Sequence, residues 1–481
     1  MRKKSKKRVI SNMIFNIIAL ISTIVAIVFC IYLYNLDILP AKYLRIIFIG
    51  LGVFYLILLG VTLPRKMRIG FKIVACVFLV IFAFVFGFGI KYVDKTAEFV
   101  NKINDELKQK EDYQINAIKE IKKENINDKK IGVFKNGKYD KIVELLKKKY
   151  PKIEIVDYDD PVKIFEDLSD GNIDLMIASD NVYELLQTDL NYLNISLKNI
   201  DILSVPVDSV SEDVVKVVDV TNTPFNIYIG GGDAYGSINK VMNTDVNMVV
   251  TVDAVNHKML LTSIPRDYYV VLPSKGEDVY DKLTHAGYYG ISESVKAVEK
   301  LLDIDINYYA KINFSTIEKI VDAIGGIDIN NPRAFTSSDR VTHFNKGDIH
   351  LNGHQALMYA RERQSFADGD VQRVKNQQKI LEAIIGKISS SKTIISSYTD
   401  LLDSISSSFS TNLDSKSISR LIKLQLSDMR GWDMESQNLV GHSATSTKCY
   451  SIPNLALYVM KEDADSVKNA SNKIKEMLEK K

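Results

Sequence analysis

Residues 248–267, MVVTVDAVNHKMLLTSIPRD, hold two apolar runs either side of Asn256 and His257. β-branched residues recur through both runs, and Asn-His interrupts them where a reversing chain tolerates polar residues. The stretch therefore predicts two strands joined by a turn. Pro265 ends the second strand because it has no amide proton for a neighbouring strand, and it aims Arg266 off the strand tip. Upstream, NIYIGGGDAYG (226–236) is another apolar strand running into glycines. Downstream, SESVKAVEKLLDI, FSTIEKIVDAIGG and the residues after Asp370 (Val374, Leu381, Ile384, Ile385, Ile388) carry helical periodicity. Strands interleaved with amphipathic helices predict an α/β domain over residues 221–481, with a central mixed sheet flanked by helices.

A smaller α/β domain is predicted before it, over residues 130–220, where KIGVF, IEIVDY and IDLMIAS alternate with the helical YDKIVELLKKKY and DPVKIFEDLSDG. Residues 95–129 are polar and rich in lysine and glutamate, with Val100, Ile103 and Leu107 at helical spacing, and predict a helical stalk. Residues 1–94 differ in kind. Runs 9–34, 43–63 and 73–90 are almost uncharged, each near the roughly 20 residues a helix needs to cross a bilayer, and predict three transmembrane helices. The basic start MRKKSKKR and the basic loop PRKMRIGFK belong on the cytoplasmic side, which places the large C-terminal part of this multi-pass membrane chain outside the cell.

Charge divides the same way. Residues 1–92 hold 13 of the 62 lysines and arginines and one of the 59 carboxylates, which leaves the rest with 49 basic and 58 acidic side chains, a net charge of −9. An acidic exterior excludes a general nucleic-acid binder. Cys30 and Cys76 fall in the spans and leave Cys449 alone, so no disulfide framework or cysteine metal site supports the exterior.

Against that acidic background YARERQSFADGDVQRVKNQQ (359–378) gathers Arg361, Arg363 and Arg373. Arg361 and Arg363 alternate across Glu362 and share a face if the segment is extended, while Arg373 and Gln377 share a helix face. Converging guanidinium forks bind phosphate oxygens in pairs; the competing reading is surface ion pairing with Glu362, Asp368 and Asp370. Gly230, Gly231 and Gly232 match neither nucleotide-binding signature, since Tyr235 stands where a last glycine is needed and no Gly-Lys-Ser/Thr follows. They read as a tight turn that delivers Asp233. Asp233 and Asp245 are either turn-capping aspartates or a carboxylate pair for Mg2+, which takes one or two protein carboxylates and fills its octahedron with water and phosphate oxygens.

SIPRDYYV, KLTHAGYYG, DAIGGIDI, LNGHQALMYARER and DVQRVKNQQ, in this order, resemble the LytR-CpsA-Psr family of Gram-positive cell-envelope proteins. The likeness is dense over residues 223 to about 390, and three spans followed by a small α/β insert resemble the CpsA (Wzg) capsule members in particular. The resemblance implies a phosphotransferase that moves a glycan, such as capsular polysaccharide, from an undecaprenyl-pyrophosphate carrier to peptidoglycan through a phosphodiester. It assigns the pyrophosphate to Arg266, Arg361 and Arg363, magnesium to Asp233 and Asp245, and the remaining phosphate and head-group contacts to Arg373 and Gln377, with Lys282 in the same shell. It also implies a prenyl tail between the sheet and the helices SVKAVEKLL and IEKIVDAI, contact with membrane lipid, and capsule polymerase or export proteins as partners. His285 and His354 are read as structural. The rival function is a non-catalytic membrane scaffold or regulator that binds the lipid-linked glycan.

Overall fold

The computed structural model describes residues 2–105, 110–135, 138–179, 182–183, 197–206, 216–232, 243–367, 369–389 and 409–479. The chain forms two compact units. The first contains α1 (Arg2–Leu36), α2 (Ala41–Thr62) and α3 (Ile69–Asp105), which include three stretches long and apolar enough to cross a membrane, Ile10–Asn35, Ala41–Thr62 and Ile69–Lys91. Ala19, Tyr55, Leu58, Leu79 and Phe86 pack between them. The polar groups inside this bundle are partnered: the Ser22 hydroxyl donates to the Leu79 carbonyl at 2.8 Å and the Lys72 ammonium to Asn12 Oδ1 at 2.7 Å, as an apolar medium demands. The helix Ser415–Asp428 belongs to this unit too, and its Lys423 pairs at 2.7 Å with Asp37, which sits between the first two helices.

The second unit begins with a five-stranded sheet. Its elements are β1 (Lys110–Ala117), β2 (Lys130–Phe134), α4 (Tyr139–Lys149), β3 (Glu154–Tyr158), α5 (Pro161–Asp170), β4 (Leu175–Ser179) and β5 (Lys198–Pro206), with strand order β3-β2-β4-β1-β5. β2 runs parallel to β3 and β4, whereas β1 is antiparallel to β4 and β5. Alternation decides which helix covers which face. Ile131, Val133, Leu175 and Ile177 pack with Ile142 and Leu146 of α4, while Phe134, Met176 and Ala178 pack with Ile164, Phe165 and Leu168 of α5. The stalk expected over 95–129 is corrected here. Helix α3 accounts for it only to Asp105, and Lys110–Ala117 is a strand whose Tyr113, Ile115 and Ala117 are buried in alternation.

The larger sheet is built from β6 (Phe225–Gly232), β7 (Val246–Asp253) and β8 (Lys258–Ser263). After it come β9 (Tyr269–Val271), β10 (Tyr280–Lys282), α6 (Leu283–Ala286), α7 (Ile291–Leu302), β11 (Tyr308–Asn313), α8 (Phe314–Ala323), β12 (Ile327–Asn331), β13 (Phe335–Thr336), β14 (His343–Phe344), β15 (Gly347–Leu351), α9 (Gly353–Arg361) and α10 (Gly369–Ser389). The chain closes with β16 (Phe409–Thr411), α11 (Ser415–Asp428), β17 (Asp433–Asn438), β18 (Gly441–Cys449), β19 (Ile452–Glu462) and α12 (Ala464–Glu479). Strand order is β16-β11-β6-β7-β8-β17, with β11 parallel to β6, β17 parallel to β8 and the remaining pairs antiparallel. This is the mixed sheet the sequence predicts.

The 248–267 hairpin forms as β7 and β8, its turn closed by Asp253, whose carboxylate accepts from the Asn256 backbone and side-chain amides at 3.1 and 2.7 Å. One sheet face is filled by Tyr228, Val249, Tyr309 and Leu260 against Val295, Val298 and Leu302 of α7. Each such fully buried aliphatic side chain is worth about 1.5–3 kcal/mol of transfer free energy.

Candidate functional site

The three glycines are the last residues of β6 and make no tight turn. A β-carbon on Gly230 would lie 2.7 Å from Ile291 of α7, and one on Gly231 would lie 3.1 Å from Val246 Cβ and 3.2 Å from Ile312 Cγ1. Their small size lets this end of the sheet close on both sides. Register then assembles the site. Gly232 is opposite Asn313 and Gly231 opposite Val246, so the ends of β6 and β11 and the start of β7 meet. Ser263 at the end of β8 is opposite Met248, and the Ile264 amide donates to the Asn247 carbonyl at 2.9 Å.

Asp245 immediately precedes β7 and forms an ion pair with Arg266 Nη1. Backbone hydrogen bonds lock the pair in place: Thr284 N donates to the Arg266 carbonyl at 2.8 Å, and Thr244 N to the Thr284 carbonyl at 3.2 Å. Asp267 lies on the other side of the guanidinium, 3.6 Å from Arg266 Nε, and 3.4 Å from the buried Lys282 ammonium. Asp245, Arg266, Asp267 and Lys282 thus form one charged chain of contacts. Asp267 follows Arg266 in SIPRD, and the sequence signal for it is a carboxylate directly beside an arginine at a strand tip.

Arg361 is the last residue of α9, not part of an extended segment, so the expected alternation with Arg363 does not hold. Its guanidinium lies 5.6 Å from the Phe314 ring centroid, at the end of β11. Asn352 caps α9, with its side chain accepting from Gln355 N at 2.9 Å, and Gly353 sits against the Glu318 carbonyl of α8 where a β-carbon would overlap. Glu362 does not pair with its arginine neighbours. Buried, it accepts from Ser338 N at 2.6 Å, Ser338 Oγ at 2.8 Å and Ser365 N at 2.8 Å, and although burial raises its pKa, these bonds hold it below the usual carboxylate range. Arg363 is exposed.

Arg373, Asn376, Gln377 and Gln378 of α10 are buried. Asn376 donates to the Tyr359 carbonyl at 3.1 Å and Gln378 to the Gln437 carbonyl at 3.0 Å, which ties α10 to α9 and to the end of β17. Gln377 Nε2 is a buried donor with no acceptor among the described residues. Asp233 and Asp368 lie outside the described residues.

Sequence reading missed Lys311. It lies on β11, opposite Gly230, on the alternation that faces α7, and burial pushes its amine from 10.5 down to about 7. The signal was present: in YYAKIN the lysine occupies the same alternation as Tyr309. His285 is structural. Its Nδ1 meets both Asp281 Oδ1 at 2.7 Å and Ser451 Oγ at 2.9 Å, so it cannot relay a proton between them as a catalytic triad would. His354 is exposed. Cys449 is fully buried, and burial followed by the nearby Asp281 charge pushes its thiol up to about 12. The slot implied for a prenyl tail between α7 and the sheet is filled by core side chains; on the opposite face Ile227, Ile229, Ala310 and Ile312 are only half-buried.

The LytR_cpsA_psr family model matches residues 198–473, the stretch that carries Asp245, Arg266, Arg361 and Arg373. The chain belongs to the LytR-CpsA-Psr family. It is 36% identical over 246 residues, 50% of this chain and 77% of the relative, to the polyisoprenyl-teichoic acid–peptidoglycan teichoic acid transferase TagU of Bacillus mycoides. It is 35% identical over 193 residues, 40% of this chain and 62% of the relative, to the TagU transferase of Enterococcus faecalis. Among solved structures it is similar to TagV of B. subtilis, with 29% identity, 54% of this chain and 99% of that chain covered, and a TM-score of 0.45. Both of these relatives by sequence bear the TagU name, and neither points to the CpsA capsule members in particular.

Proposed function

We propose that this chain is a membrane-anchored transferase that moves a polyprenyl-pyrophosphate-linked glycopolymer to a hydroxyl of peptidoglycan. The observation that carries the reading is the set of buried or half-buried cationic and amide donors, Arg266, Lys282, Arg361, Arg373 and Gln377, in a chain of this family. Gln377 Nε2, a buried donor with no acceptor among the described residues, is kept out of water at a cost of about 1–3 kcal/mol that a pyrophosphate oxygen would offset. The acceptor hydroxyl attacks the glycan-side phosphorus as the bond to the bridging oxygen breaks. The products are a glycan phosphodiester, polyprenyl monophosphate and a proton. Arg266 and Arg361 would neutralise the leaving phosphate, and Arg373 and Gln377 would orient it, so the reaction needs no protein nucleophile. Arg363 would meet the head group from the exposed side.

Magnesium fits this donor set as a minimal site. No group of three metal-capable side chains occurs among the described residues, but Mg2+ bound to phosphates needs only one or two carboxylates. Asp245 would supply one and Asp233 the other. When bound, the ion would neutralise charge on the phosphates. Asp245 also pairs with Arg266.

The basic flanks favour the catalytic part lying outside the cell, and the Lys423–Asp37 pair supports it by joining the loop between the first two spans to a helix from the end of the chain. For the glycopolymer we favour an anionic wall polymer of the teichoic acid kind, following the relatives, over the capsular polysaccharide and capsule-assembly partners implied by the CpsA resemblance. The test is release of polyprenyl monophosphate by the full chain given lipid-linked glycan and peptidoglycan, with and without a chelator. Tight carrier binding with no release in the presence of a competent acceptor would replace the transferase with a scaffold.

A further inference from the structure

A cavity of about 940 Å³ lies between the five-stranded sheet and the segment around β10 and the β18–β19 turn. On one side it is lined by Phe134 and Lys135 at the end of β2, Lys138 at the start of α4 and Ser179 at the end of β4. β2 lies between β3 and β4, parallel to both, and the helices that follow β2 and β3 cover opposite faces. That arrangement is a topological switch point, and in open α/β sheets ligands bind in the crevice outside the carboxyl ends of the strands there. The volume suits a small ligand or a few sugar rings.

The facing wall is aromatic. Tyr280 stacks on Tyr269 with centroids 5.2 Å apart, Tyr289 packs on Tyr450 at 5.6 Å, and the Lys275 ammonium lies 4.7 Å from the Tyr289 centroid. Tyr450 is 39% exposed. The electron-rich face of such a ring suits the C–H face of a pyranose. Charge is mixed. Lys138 is paired with buried Glu111 at 2.5 Å, while Lys135, Lys275 and Lys448 are exposed, as are Asp140, Asp159 and Asp278. A polyanion would be repelled by those carboxylates; a sugar bearing separated anionic groups would not.

The cavity is coupled to the candidate site through β10. Tyr280 lines it, Asp281 is buried and accepts from Ser451 N at 2.6 Å, and Lys282 reaches Asp267 beside Arg266. Two residues of strand, about 7 Å, separate the sugar-facing tyrosine from the phosphate-facing lysine. We infer that this cleft is a saccharide subsite that holds a glycan segment bearing an anionic substituent, in line with the reacting phosphate. The assignment rests on the transferase reading for the identity of the glycan. The same chemistry occurs in two sources, the muramic acid sugars of the acceptor and the phosphate-bearing units of the donor polymer.

The test uses the full chain in lipid nanodiscs and two soluble probes without a prenyl chain, a GlcNAc–MurNAc tetrasaccharide and an N-acetylhexosamine disaccharide carrying a single glycerol phosphate. Binding is measured by calorimetry and saturation-transfer NMR. One probe should bind, and which one does names the source. Tyr450→Ala and, separately, Lys275→Ala should weaken it about tenfold, while geranyl pyrophosphate should not displace it. Since both side chains are solvent-accessible, a folding defect in one leaves the other as the measurement. The assignment is overturned if neither probe binds the wild-type chain, if both variants bind as wild type does, or if geranyl pyrophosphate displaces the sugar. Failure of the transferase reading shows separately, as saccharide binding without release of polyprenyl monophosphate.

Discussion

Asp245 and Arg266, 21 residues apart in the chain, form an ion pair at the tip of the central sheet. The carboxylate expected to hold a metal is therefore also the group that sets the guanidinium. Removing it has two opposing effects. Asp245→Ala should lower turnover by at least about tenfold, because one carboxylate holds a hydrated cation poorly. The same change frees Arg266, so geranyl pyrophosphate should bind as tightly as in wild type or more tightly. Calorimetry beside a turnover assay checks both, and a parallel loss of binding would mean that the pair serves to position the phosphate site alone.

The Arg361 guanidinium lies 5.6 Å from the Phe314 ring centroid, within cation–π reach, and its planar fork can meet two phosphate oxygens at once as an ammonium cannot. Arg361→Lys should cost about 2 kcal/mol in kcat/KM although the charge is kept. An unaltered kcat/KM in a folded variant would return Arg361 to the surface ion-pair reading.

Lys311 makes stability depend on pH. Its folded pKa of about 7 lies below the unfolded value of 10.5, so between those values the unfolded chain holds a proton that the folded chain has released. Stability attributable to this group rises as pH climbs through that window, and the full cost of burying the charge is present below it. Lys311→Met should raise the thermal midpoint at pH 6 and flatten its rise toward pH 10; at about 1.4 kcal/mol per pKa unit the gain amounts to several kcal/mol. Thermal unfolding over pH 6 to 10 reads this directly, and an unchanged slope contradicts it.

Topology is checked with fusions. A reporter joined after Asp94 should be active outside the cell, and one joined at Arg68 only inside, as the basic flanks require. A cytoplasmic Asp94 fusion would reverse the orientation proposed for the catalytic part.

What could be read in advance followed strong physical signals. The spans and the β7–β8 hairpin show in runs of apolar residues, and the arginines stood out against an acidic exterior. Strand β1 did not, because Tyr113, Ile115 and Ala117 alternate with charged and amide residues in a stretch that looks like a polar stalk. Arg361 looks extended in the sequence because α9 is short and is fixed by Gly353 packing against α8, a tertiary contact. The glycines of β6 resemble a turn in the sequence, since only the positions of Ile291 and Val246 show that a strand needs their smallness. Lys311 gives little warning in the sequence, because a lone lysine in a strand normally faces water.

The fully buried Cys449 has a practical consequence. Its thiol is both out of reach and hard to ionise, so water-soluble maleimides and oxidants should pass it by. A cysteine introduced at the neighbouring Tyr450 would then carry a fluorophore without background from Cys449, and closure or filling of the cleft could be followed in real time by its emission.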